Sequence, residues 1–295
     1  MNFGTTLQKI RKNRQLTQNQ LACGIAQQGT YSRIERGQLA MSAEQLVQFA
    51  DKLNMTVNEF IYIHLQHQIS EREKITRAFA DMDLTTPMAI KKQLKIAQHY
   101  LEQHADDYIE MLVDAYQALL VLVEQDDLQK ARLIAEGIWV NMQRLDYWYI
   151  NDLELLNSIL FLFPLDSAVE IVKVAIKRLD MYNDYYKDLT YLKIYFHLNL
   201  CIIYLENKKY AICLTMLERV YKQFKRKLSY QILSYIYTYK AICLFHLDRQ
   251  NNEEISNLTT LMRLYDEEEN LSVLLHEISI QCKEKSAKNC SKSRA

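Results

Sequence analysis

Glycine and proline are scarce in these 295 residues: there are five glycines and two prolines, and four of the glycines (Gly4, Gly24, Gly29, Gly37) fall at the N-terminal end. Only Pro87, Gly137 and Pro164 punctuate the remainder. A chain so short of turn-formers cannot build a β-fold, and its runs of Leu, Ile, Ala, Lys, Glu and Tyr have helical period, so the predicted fold class is all-α. An excess of either charge is also missing, since 36 Lys and Arg balance 36 Asp and Glu. No apolar run is long enough to span a membrane, and the N-terminus reads as a helix near 3–13, not a signal peptide; the expected location is cytoplasmic. The six cysteines, at 23, 201, 213, 243, 282 and 290, form no Cys-x-x-Cys and sit mostly on apolar helices, as buried thiols do. There is no Gly-rich phosphate loop, nucleophile elbow or paired-carboxylate frame, so no enzyme and no cofactor is expected. His64-x-x-His67 has a metal-like spacing but no third ligand nearby, and reads as a helix surface.

Residues 17–37 carry the most information. Thr17 and Gln20 form the two ends of a capping box that opens a short helix, in which Leu21 and Ala22 face inward. A second helix follows, with Tyr31 and Ile34 on its buried face, Gln28, Thr30 and Arg33 pointing outward, and Gly37 as the left-handed residue that ends it. Gln pairs bidentately with adenine and Arg with guanine, so the outward face suits direct readout of DNA. Two more boxes, Ser42-x-x-Gln45 and Thr56-x-x-Glu59, predict helices over 42–53 and 56–65. With the first helix, five helices occupy residues 1–66, predicted as a helix-turn-helix domain.

This head resembles the Xre type of helix-turn-helix, the class that includes the lambdoid phage repressors, most specifically in Ser32-Arg33-Ile34-Glu35-Arg36-Gly37. The resemblance implies an ion pair between Arg11 and Glu35, Gln18 near phosphate and base, Gln28 and Arg33 at base edges, and Arg14 and Arg36 near the DNA backbone. The expected DNA-contact set is therefore Arg11, Arg14, Gln18, Gln28, Thr30, Ser32, Arg33 and Arg36. One departure stands out: the turn is a residue shorter than in the phage repressors, with Gln27 where Ser or Thr usually caps the recognition helix and Gly29 in its first turn. Charge agrees with the assignment, because residues 1–40 hold Lys9, Arg11, Lys12, Arg14, Arg33 and Arg36 against Glu35 alone. Residues 283–295 are also basic and are predicted as a disordered tail, so 41–282 is net acidic and is no nucleic-acid surface.

Beyond the head, Ile69 to Asp83 reads as a connecting helix within a linker over 67–86, and Thr85-Thr86-Pro87 starts the next helix. From 87 to 282, polar breaks near Glu124–Asp127, Pro164–Asp166, Glu206–Lys209 and Asp248–Asn252 recur at about 40 residues, the length of a helical hairpin. Helices such as Ala115–Val123, Leu153–Phe163, Phe196–Leu205 and Tyr237–Leu247 precede them, and Asn251–Cys282 is expected as one terminal helix. This predicts a tetratricopeptide-like solenoid whose concave face is a groove for an extended peptide. Two longer segments, Asp152-Leu-Glu-Leu-Leu-Asn157-Ser-Ile-Leu-Phe-Leu-Phe-Pro164-Leu-Asp166 and Phe196-His-Leu-Asn199-Leu-Cys-Ile-Ile-Tyr204-Leu, together with the head, resemble the Rgg/GadR/MutR regulators of Gram-positive bacteria. That resemblance implies a dimeric transcription regulator whose repeats bind a short signalling peptide taken up by the cell. Plasmid-conjugation regulators with the same head and body are a second resemblance.

Asn157 and Asn199 sit mid-helix on apolar faces, where Asn is a poor helix former, and an amide can both donate to and accept from a peptide backbone. The alternative is an interhelical hydrogen bond that fixes packing. Arg144 is a candidate for a peptide carboxylate or an exposed helix-end charge. Twelve of the 20 tyrosines lie between Tyr182 and Tyr239, most expected in the core and some, such as Tyr195, in the groove. A single small head reads one half-site, so a homodimer is expected, with duplex DNA and a peptide as partners and no membrane. A constitutive repressor whose repeats only dimerise and a scaffold that binds a protein partner remain as alternatives.

Overall fold

A computed structural model describes residues 2–80 and 86–292. The chain divides into two compact units, Met1–Lys74 and Ile75–Ala295. Among the described residues every regular element is helical, and no helix is long and apolar enough to cross a membrane.

The first unit holds α1 (Gly4–Asn13), α2 (Gln18–Ala22), α3 (Gln28–Glu35), α4 (Ala43–Lys52) and α5 (Val57–His64). Both sides of the Thr17/Gln20 and Ser42/Gln45 boxes are formed. Thr56 supplies only the first half of such a box, its hydroxyl accepting the Glu59 N–H at 3.1 Å. Leu7, Leu21, Tyr31, Ile34, Phe49 and Phe60 form the core, with the Tyr31 and Phe49 rings meeting edge to face at 5.2 Å. His64, the first of the two spaced histidines, bonds the Thr6 hydroxyl through Nδ1 at 2.9 Å and packs on Phe3.

The boundary between units falls inside α6 (Glu71–Ala80), whose Ile75 and Phe79 are core residues of the second unit. The predicted connecting helix thus doubles as a packing element, and the part of it beyond residue 80 lies outside the described residues, as does Thr85. Thr86 caps α7 (Pro87–Leu101), with Pro87 at its first turn. Then come α8 (Asp107–Gln125), α9 (Leu128–Gln143), α10 (Ile150–Ile159, continued by a 3-10 turn over Leu160–Leu162), α11 (Leu165–Asp180), α12 (Thr190–Glu206), α13 (Tyr210–Phe224), α14 (Tyr230–His246), α15 (Asn252–Leu264) and α16 (Glu268–Lys292). The hairpins α8–α9, α10–α11, α12–α13 and α14–α15 start at Asp107, Ile150, Thr190 and Tyr230, which preserves the period of about 40 residues.

The first helices of the hairpins stack on one another, α8 on α10, α10 on α12, α12 on α14 and α14 on α16, while α9, α11, α13 and α15 pack on first helices. The first helices thus form one continuous layer of the body. Its interior is apolar, with Leu156, Phe196, Leu200 and Ile236 at or near zero exposure. Each such side chain contributes about 1.5–3 kcal/mol by leaving water.

One expectation needs correction. The single helix over 251–282 is two helices, because Asp266 takes a left-handed φ of 56° and closes α15. Residues 293–295 lie outside the described residues. The missing glycines are explained by the same device. At the ends of α1, α4, α5, α12, α14 and α15, the left-handed residue is Gln15, Asn54, Gln66, Lys208, Asp248 or Asp266. Each is followed by the paired backbone bonds of a Schellman motif, as in Lys209 N–H to Tyr204 O at 2.8 Å and Lys208 N–H to Leu205 O at 2.9 Å.

His197, in α12, is 9% exposed. Burial lowers its pKa below 6.5, opposed by the bond its Nδ1 makes to the Lys193 carbonyl and helped by the charge of Arg219. The unfolded chain therefore takes up this proton first as pH falls, so stability is full above about 6.5 and declines as pH drops through the folded value. Circular dichroism melts between pH 7.5 and 5 are expected to show a falling Tm for the second unit, and His197→Leu should flatten that component. An unchanged slope in the variant would remove His197 from this account.

Candidate nucleic-acid interface and inner groove

The orientation of α3 is set by one buried hydrogen-bond hub. Glu35 is 2% exposed and accepts the Arg11 guanidinium in a fork, Nε to Oε1 at 2.6 Å and Nη2 to Oε2 at 3.1 Å. The Tyr31 hydroxyl donates to Oε1 at 2.6 Å and the Gln18 amide to Oε2 at 2.9 Å. Burial alone would raise the Glu35 pKa, but the bonds from Arg11, Tyr31 and Gln18 outweigh it and hold the carboxyl below the usual range. Burial and the neighbouring Glu35 push the Tyr31 phenol far up. Two residues of α1 (Arg11, and Gln8, whose amide donates to Oε2 at 3.4 Å), one of α2 and two of α3 are thus pinned to a common point.

The other end of α3 is closed by Gly37, at φ +71°, whose N–H donates to Ile34 O at 2.9 Å while Gln38 N–H donates to Arg33 O at 2.9 Å. Lys52 of α4 caps α2 in turn, its ammonium donating to the carbonyls of Gln20 at 3.2 Å, Leu21 at 3.4 Å and Cys23. By contrast the start of α3 has no side-chain cap, because Gln27 makes no such bond.

Against this frame the expected contact residues separate. Gln28, Arg33, Arg36 and Arg14 are exposed, and Thr30 and Ser32 are half-buried. Arg36 folds back to donate to the Ser32 carbonyl at 3.2 Å. Arg11 is 8% exposed, and its Nη1 donates to Leu16 O at 2.6 Å, so each of its three nitrogens makes a bond within the head. Gln18 is shared, with one amide N–H given to Glu35 and the other free to turn outward.

On the first-helix layer of the second unit, Asn157 of α10 and Asn199 of α12 are brought together. The Asn199 amide donates to the Asn157 backbone carbonyl at 2.9 Å and to its Oδ1 at 3.1 Å. Both side chains stay half-buried, which leaves Asn199 Oδ1 and Asn157 Nδ2 open. On the same two helices Tyr191 donates its hydroxyl to Glu154 at 2.8 Å, and Tyr195 stands 39% exposed beside Tyr191. Arg144 is not part of this group. It is the exposed C-cap of α9, in the other layer.

The net acidity read for 41–282 falls, within this layer, on α8 and α10. Neither α8 nor α10 contains a Lys or Arg. Burial raises the pKa of Asp114, with Glu110 adding to it, and burial raises that of Glu277 beside Tyr239. The signal was present in the composition of α8, but only folding shows which of its carboxylates lose water. Among the described residues no His, Cys, Asp and Glu group has a metal-binding arrangement.

No protein-family model and no curated protein matches the sequence. Solved structures do match in fold, over nearly the whole chain. PlcR of Bacillus thuringiensis, in complex with the peptide PapR7 and DNA, superposes with a TM-score of 0.68 at 18% identity, over 92% of this chain and 98% of that one. The SHP pheromone receptor Rgg2 of Streptococcus dysgalactiae gives 0.66 at 16%, over 94% and 98%. ComR of S. thermophilus, in complex with DNA and its signalling peptide ComS, gives 0.60 at 15%, over 96% and 99%. The all-helical fold of this chain is therefore like that of these proteins over nearly its whole length.

Proposed function

We propose that this protein is a sequence-specific DNA-binding transcription regulator, controlled by a short signalling peptide held on the concave face of its repeats, and that it acts as a homodimer in the cytoplasm. The observation that carries the proposal is the pairing of the two faces on one chain. Exposed Gln28 and Arg33 stand on a helix locked in orientation by Glu35, and an inner layer presents unfilled amide valences at Asn157 and Asn199. The full-length likeness to proteins solved with peptide and DNA supports it.

In the proposed mode Arg33 reads guanine and Gln28 adenine in the major groove, with Thr30 on the same outward face, Gln18 near phosphate and base, Ser32 in the contact set and Arg14 and Arg36 at the DNA backbone. Two heads are needed, because one short helix reads one half-site, and half-sites lie roughly 34–36 Å apart or at multiples of that spacing. Asn157 Nδ2 and Asn199 Oδ1 bond an extended peptide backbone, and Tyr195 packs on its side chains. Binding changes regulation by favouring one arrangement of the dimer, and full switching requires a preference of roughly 5.5 kcal/mol.

The Asn157–Asn199 bond also favours a second reading, in which these amides only fix packing and the protein is a constitutive regulator. One experiment separates the two. Duplexes enriched from genomic fragments on the wild-type chain are titrated against wild type, Arg33→Ala and Asn199→Ala, with and without peptides that co-purify from host culture. Arg33→Ala is expected to lose about 1–3 kcal/mol on the enriched duplex. Asn199→Ala should bind DNA normally and ignore the peptide. Full binding by Arg33→Ala would end the DNA-reading proposal, and absence of any peptide effect on wild type would leave the constitutive regulator.

A further inference from the structure

Three of the five glycines have a reason inside the fold. Gly24 and Gly37 have positive φ, at +77° and +71°, and a Cβ on Gly4 would lie 2.2 Å from the Ile34 carbonyl oxygen. Gly29 and Gly137 have none: their φ is ordinary and a Cβ would meet nothing within 4 Å. Each lies within a helix, where glycine is among the poorest formers, so the fold would be better served by alanine at both.

What distinguishes Gly29 is its place. Gly29, Ser32, Arg33 and Arg36 are spaced i, i+3, i+4, i+7, opposite the buried Tyr31, Ile34 and Glu35. Gly29 is thus the N-terminal member of the outward stripe, a notch at the end of a recognition helix that lies nearest to base edges. Gln28 and Arg33 reach furthest into the groove only if the backbone beside them can approach closely.

We infer that duplex DNA comes into van der Waals contact with the α3 backbone at Gly29, and that the missing side chain there sets how deeply Gln28 and Arg33 are seated. The inference rests on the DNA-reading function proposed above. Gly29 is a positioning residue in this account, acting through its two neighbours, and Gly137 is its internal control.

The test uses the full-length chain and two probes, a duplex pool enriched on the wild-type protein from a random library and the unselected pool. Gly29→Ala is expected to raise the melting temperature of the head and to weaken binding to the enriched pool at least tenfold. Its affinity for unselected duplex should fall much less, which narrows the ratio between the pools. Gly29→Ser should lose more than Gly29→Ala on the enriched pool. Gly137→Ala should be as stable as wild type or more so and bind both pools as wild type does. Wild-type affinity of Gly29→Ala for the enriched pool overturns the inference while leaving DNA reading intact. Failure of the wild-type chain to enrich any duplex overturns both.

Discussion

Replacing Glu35 with alanine is expected to remove about 3–5 kcal/mol from the stability of the helix-turn-helix unit, because it leaves the buried Arg11 guanidinium without its counter-charge. The same change orphans the Tyr31 hydroxyl and releases Gln18, so α1, α2 and α3 lose their shared anchor together. Stability of a domain is only about 5–15 kcal/mol, and a unit this small sits near the lower end. Backbone amide exchange of α1 and α3 in the full-length protein is the measurement, and wild-type protection in Glu35→Ala would sink the idea. Replacing the hub by apolar residues of similar size, as in Arg11→Met with Glu35→Leu and Tyr31→Phe, is expected to recover most of the stability. If the hub orients α3 as well as holding it, that variant folds yet discriminates poorly between DNA sequences. Its acid sensitivity follows from the same bonds. The folded-state pKa of Glu35 lies below 4.5, so its contribution is present above that pH and is lost only as pH falls through the lower folded value.

Gly4→Ala is expected to be nearly as damaging, by a different route. The added methyl would sit 2.2 Å from Ile34 O and 2.7 Å from Glu35 O, and both are backbone atoms that no rotamer change can move aside. α1 must then back away from the last turn of α3, which stretches the Arg11–Glu35 fork as well. Overpacking of this kind costs about 1–3 kcal/mol. For a domain of this size that corresponds to a drop of roughly 5–20 °C in the melting temperature of the head. A melt within a degree of wild type would mean that the α1–α3 approach is looser than the geometry implies.

Local chemistry made much of this legible in the sequence. Thr17 with Gln20 and Ser42 with Gln45 announce helix starts because a capping box is complete within four residues. The pairing of Arg11 with Glu35 was readable only through the resemblance of the head to the Xre type, since nothing in the spacing of the two residues requires it. The bond between Asn157 and Asn199 was open to two readings because its partners lie 42 positions apart and only the stacking of α10 on α12 joins them. Burial of Asp114 and Glu277 was hidden for the same reason. Helix ends in the body were legible only as polar breaks, and the turn at Asp266 was missed outright, because it lacks the glycine or proline that usually marks one.

That last trait bears on what the turns of the body require of the sequence. Here the turn is held by main-chain hydrogen bonds around Lys208, Asp248 or Asp266, and several residue types satisfy it at modest cost. A likeness of fold over 92% of this chain at 18% identity is therefore compatible with turns that carry no glycine here.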